Sequence, residues 1–216
     1  MPHSLIPERV DTSEIPIVYQ NCCGPDLLDT ARYLRLFLLF RHDGEVRELS
    51  KAEYQYLVAL DRYVHAQLLD QAGRYHEEGT MSECIALAIT TNRMNILCTW
   101  EQLGQIRRMI TQRFESALKA CGLDPWLKAD AAYALIWVCW VALTQTQTFE
   151  VQSFVLDSLV SALKIALRTD PKFWPEDWGA GFAGSFQPLL WHADYDACIP
   201  KAVDLVHEHI KSSRSR

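Results

Sequence analysis

Positive charge is in short supply in this chain. Its 216 residues carry 27 acidic side chains against 21 lysines and arginines, a net charge of -6. Neutralising phosphate supplies most of the affinity of an autonomous nucleic-acid-binding domain, so direct binding to DNA or RNA is disfavoured. Long apolar runs are lacking as well. The longest uncharged stretch, 131–149, carries Thr144-Gln145-Thr146-Gln147-Thr148 in its second half. Its apolar half, Ala131 to Leu143, has the length of a buried core helix rather than of a bilayer span. Met1 to Glu8 hold neither a basic stretch nor an apolar stretch of the kind that leads secretion. No membrane association is expected, and a nuclear or cytoplasmic location rather than a secreted one.

Paired cysteines are missing too. The seven cysteines, at 22, 23, 84, 98, 121, 139 and 198, are odd in number and include no Cys-x-x-Cys. Neighbouring Cys22 and Cys23 cannot bridge to each other in normal geometry. Cys84, Cys98, Cys121 and Cys139 lie inside apolar helical segments. This usage suits free, mostly buried thiols in a reducing compartment, and structural zinc, which needs four closely arranged ligands, is not expected.

Catalytic signatures are equally absent: there is no Gly-x-Ser-x-Gly, no phosphate-loop Gly-Lys-Ser/Thr and no His-Glu-x-x-His. The glycines of 179–184 follow no strand and read as a turn between helices. Glu77-Glu78 reads as a solvated loop edge. The sequence therefore favours a non-enzyme, with no catalytic residues and no cofactor.

What is present is helix. Hydrophobic residues make up 49% and charged residues 22%, the balance of one soluble domain. Residues 1–25, with Pro2, Pro7, Pro16 and Pro25, read as an extended arm. Leu27, Leu28, Ala31, Leu34, Leu38 and Leu39 recur at spacings of three and four, and Asp43-Gly44 is expected to stop that helix. Ser50-Lys51-Ala52-Glu53 is a capping box, with Leu49 and Tyr54 available as its hydrophobic staple. It predicts a helix whose inner face is Leu57, Leu60, Val64 and Leu68, ending near Gly73. A second box, Thr80-Met81-Ser82-Glu83, opens a helix with Cys84, Leu87, Ala88 and Ile96 buried.

A fourth helix spans Gln102 to Ala120, with Gly122 just past its end. Asp124 as N-cap and Pro125 at the first helical position start a fifth, running through Trp137 and Trp140 to Leu143. Being apolar almost all round, it should be central. A sixth, Phe149 to Leu167, has its polar stripe at Asp157, Ser161, Lys164 and Arg168. Residues 174–191 are aromatic and irregular, and a last helix spans about Asp196 to His209. The expectation is an all-α fold: one irregular bundle of about seven to eight helices over 26–210, with a loose basic tail at 211–216.

Four residues stand as ligand-pocket candidates: Trp137, Trp140, Trp191 and His192. The tryptophans, with Trp174 and Trp178, could line a pocket for an apolar ligand, although ordinary core is the default for rings on apolar helices. His192, Asp194, Asp196 and Cys198 alternate and are all of ligand-capable type, but a loop whose Asp196 caps the last helix explains them better, so no metal is expected. Asp61 and His65, four apart, share a helix face and read as a surface pair. Arg107, Arg108 and Arg113 form a short basic stripe.

Glu83-Cys84-Ile85-Ala86-Leu87-Ala88, followed by Asn92 and Asn95, resembles the Glu-Cys-x-x-Leu-Ala helix in the C-terminal regulatory domain of fungal zinc-cluster transcription factors. The Tyr133-Ala134-Leu135-Ile136-Trp137-Val138 helix resembles that family's next apolar helix, and Trp178, Phe186 and Leu189-Leu190-Trp191 occupy comparable places. The likeness covers about Asp26 to His209. It implies a helical domain that regulates activity and mediates interactions in transcription. The family's DNA-reading module, with six closely spaced cysteines, has no counterpart here, so neither DNA binding nor a zinc site carries over. The implied role is transcription regulation through protein contacts, a homodimer among them, or through a small apolar effector. The alternative is a small helical enzyme or carrier for a hydrophobic metabolite, with the Trp-rich end as its pocket.

Overall fold

The computed structural model describes residues 22, 24–74, 79–97, 104–129, 131–143, 149–169, 204 and 208. Among them every regular element is a helix: α1 (Pro25–Val46), α2 (Lys51–Arg74), α3 (Met81–Leu97), α4 (Gly104–Cys121), α5 (Asp124–Lys128), α6 (Ala132–Leu143) and α7 (Phe149–Thr169). The fold is all-α, as the three-and-four spacing of apolar residues requires. The segments 1–21, 170–203 and 209–216 lie outside the described residues, and with them Trp191, His192 and the last predicted helix, of which only Asp204 and Glu208 are described, both helical and exposed.

Helix α1 starts at Pro25, whose missing N–H costs nothing in a first turn. It runs through Asp43-Gly44 to Val46, so the expected stop is overridden. A glycine costs a helix only about 1 kcal/mol relative to alanine, and packing of the helix outweighs that. Leu27, Leu28, Leu34, Leu36 and Phe37 are buried. On the same side a polar clasp joins α1 to α2. The Gln71 amide donates to Thr30 Oγ1 at 2.7 Å and to the Asp26 carbonyl at 3.0 Å, while the Thr30 hydroxyl donates to that carbonyl at 2.9 Å.

The first capping box forms in full. At α2 the Ser50 N–H donates to Glu53 Oε2 at 2.8 Å and the Glu53 N–H to Ser50 Oγ at 3.3 Å. Arg47 donates to both Glu53 carboxylate oxygens, at 2.7 and 3.2 Å. That guanidinium, with the two Ser50 bonds, holds the Glu53 carboxyl down at about 2. Tyr54, 60% exposed, leaves no packed staple. Leu60, Val64 and Leu68 form the inner face as expected, joined by Tyr56, and Leu57 packs partly buried against them.

Helix α4 ends as predicted: Gly122 takes φ +64 and its N–H donates to the Leu118 carbonyl at 3.1 Å. The expected fifth helix is two. Leu123, with no side-chain bond, is the N-cap of α5 in place of Asp124, and α5 ends at Lys128. The Ala131 N–H reaches back five residues to the Trp126 carbonyl at 2.8 Å, turning the chain before α6 begins. The break separates two environments that one straight helix could not share. Leu127 is 41% exposed and Lys128 is exposed, whereas ten of the twelve residues of α6 are buried. Helix α6 is thus the central helix, packed above all on α7 and also on α3, α4 and α5.

Candidate functional site

The tryptophan candidates that can be placed are core residues. Trp137 is 3% and Trp140 1% exposed, both on α6 inside one apolar cluster that draws on every helix described here. Asp61 is half-buried and His65 exposed on α2. Among the described residues no three His, Cys, Asp or Glu side chains converge as a metal ion would require. The alternating His192–Cys198 series lies outside those residues.

The polar feature of greatest consequence sits where α3 begins and α4 ends. Thr80 and Glu83 make the second capping box in modified form: the Glu83 N–H donates to Thr80 Oγ1 at 3.2 Å, but the carboxylate reaches past Thr80 to the Gly79 N–H at 2.8 Å. Gly79 can present that N–H because it adopts φ +55, and a Cβ there would stand 2.7 Å from the Cβ of Ala120. The other Glu83 oxygen accepts from Arg113 on α4, from Nη2 at 3.0 Å and from Nε at 3.3 Å. The Glu83 side chain is only 5% exposed and that of Arg113 28%. One carboxylate therefore caps α3, fixes the turn before it and ties α3 to α4. Beside it lies an open cleft of about 360 Å³ lined by Gly79, Glu83, Gln112, Arg113, Ser116 and Ala120. Neither Trp137 nor Trp140 lines it.

Directly behind this ion pair lie thiols. Cys84, Cys121 and Cys139 are free and buried. Cys84 and Cys121 act on each other's titration unequally. Their interaction holds the Cys121 thiol below its usual range, with the Trp126 indole acting in the same sense. The same interaction, then burial, pushes the Cys84 thiol up. The Trp126 ring is fully buried, and its indole N–H has no hydrogen-bond partner among the described residues. Cys139 on α6 is close enough for its charge to bear on Cys84, and burial pushes its own thiol up.

Neither cross-helix pairing is readable from the sequence. Glu83 shows as a cap, Arg113 as part of a basic stripe and the cysteines as separate apolar positions. Their partners lie 30 or more residues away, and local spacing carries no sign of them. Compared with models of protein families, with curated proteins and with solved structures, the chain matches none.

Proposed function

We propose that this chain is a regulatory helical domain of the transcription-factor type, without its own DNA reader, and that it works in the nucleus or cytoplasm through contacts between its surface and other proteins. The observation that supports this reading is the placement of α6. This helix carries the apolar sequence that resembles the family's next apolar helix, and it is buried on every face, Trp137 and Trp140 included. Those two rings are spent on the core, which leaves the outer faces of the helices as the working surface. The acidic balance, -6, argues against unaided DNA binding.

The competing carrier reading requires a retained apolar molecule. Native mass spectrometry of the purified full chain separates the two. The expected spectrum shows the 24.8 kDa chain or a whole-number multiple of it, with no organic adduct at stoichiometric level. A one-to-one complex with an apolar molecule that survives purification and disappears on denaturation would overturn the interaction-domain reading in favour of the carrier.

A further inference from the structure

We propose that Ser116 is a phosphorylation site, whose phosphate draws Arg113 away from Glu83 and loosens the seam between α3 and α4. Of the serines and threonines whose side chains are described, only Ser50 and Ser116 are exposed. Each follows an arginine by three residues, Arg47 or Arg113, the spacing that basic-directed protein kinases select. In both places that arginine is paired with a glutamate, Glu53 or Glu83. A phosphate would act differently at the two. At Ser50 any rearrangement stays within one helix cap, whereas at Ser116 it reaches a contact between two helices.

Ser116 and Arg113 stand three apart on α4, which makes their side chains neighbours on one face. Both line the open cleft of about 360 Å³, and so does Glu83. Gly79, Ala117 and Ala120 complete much of its wall, so no large side chain occupies the space a phosphate needs. The Ser116 hydroxyl donates to the Gln112 carbonyl at 3.0 Å. That carbonyl also accepts within the helix ladder, so releasing the hydroxyl costs little. Lys119, exposed and three residues further on, adds a second cation to the face, its Nζ 5.9 Å from the centre of the Phe154 ring. A phosphoserine carries about −1.5 to −2 charges and three acceptor oxygens. It outbids a single carboxylate for a guanidinium on its own helix that is already partly exposed. Glu83 then keeps the Gly79 N–H, loses its cation and faces a like charge in the same cleft.

The phosphoryl donor is ATP, and a protein kinase supplies the catalysis. The Ser116 oxygen bonds to the γ-phosphorus, the bond from that phosphorus to the bridging oxygen breaks, and ADP leaves. The hydroxyl proton passes to the base of the kinase.

The test has two arms, both on the folded, full-length chain. The first incubates it with ATP and a kinase that selects arginine three residues before serine, then maps the phosphopeptides. Phosphate is expected on Ser116; phosphate on Ser50 alone, or on neither, would overturn the assignment. The second encodes phosphoserine in place of Ser116 during synthesis and follows amide hydrogen exchange and urea unfolding. The Glu83 and Cys84 amides, which bond back to Thr80, are expected to exchange several-fold faster, and the urea midpoint to fall. Phosphoserine in place of Ser50 should leave those two amides unchanged. Glu83→Gln removes the charge that competes for Arg113, so in that variant phosphate at Ser116 should no longer lower the midpoint. The exchange comparison stands even if that variant does not fold. Unchanged exchange at Glu83 and Cys84 would overturn the proposal, as would a fall in midpoint that Glu83→Gln leaves equally large.

Discussion

Trp140→Ala is expected to destabilise the chain by about 3–5 kcal/mol and to lower its melting temperature by roughly 10 °C, read by circular dichroism during thermal and urea unfolding. The reason is local. Trp140 is 1% exposed on a helix that is buried all round, so truncation removes a large ring from between packed neighbours and leaves a cavity they can only partly fill. The outcome also discriminates between readings. A ring that borders a pre-formed ligand space has fewer contacts to lose, and a loss below about 1 kcal/mol would point to such a space.

Arg113→Ala is expected to cost about 3–5 kcal/mol, and more than Glu83→Ala. The asymmetry follows from exposure. Without Arg113, the Glu83 carboxylate, 5% exposed in the intact pair, keeps the Gly79 N–H but loses its charged partner. Without Glu83, the guanidinium, already 28% exposed, can turn toward water. Urea unfolding of both single variants and the double variant gives the order directly. Equal losses, or a smaller loss for Arg113→Ala, would show that the pair acts as a surface bridge with little influence on the helix seam.

Several elements were legible in the sequence because their signals are local. Ser50 with Glu53 satisfies orphan donors within one turn, and Gly122 takes a backbone conformation that other residues resist; both are where spacing placed them. The burial of Leu60, Val64 and Leu68 follows from helical period alone. What failed depended on tertiary context. Gly44 does not stop α1, because a single glycine is a small cost within 22 helical residues. The break between Lys128 and Ala132 is hidden by helix-forming residues on both sides, and it is the difference between a surface helix and a core helix that demands it.

The site was less legible than the fold. The Glu83–Arg113 ion pair joins α3 to α4, and no spacing rule connects residues on separate helices. Even the modified capping box shows the limit. Thr80 and Glu83 announce a cap, yet only the structure has the carboxylate reach back to Gly79.

The most direct measurement of the proposed role is transcription from a reporter when the full chain is fused to an unrelated DNA-binding domain. Fused, the chain is expected to change reporter output several-fold in either direction. The same chain expressed without the fusion should leave output unchanged, since the proposed role includes no DNA reading. Trp140→Ala, which disrupts the fold, should remove the effect of the fusion. Reporter output indistinguishable from that of the DNA-binding domain alone, with the fused chain folded and present at equal level, would contradict the account.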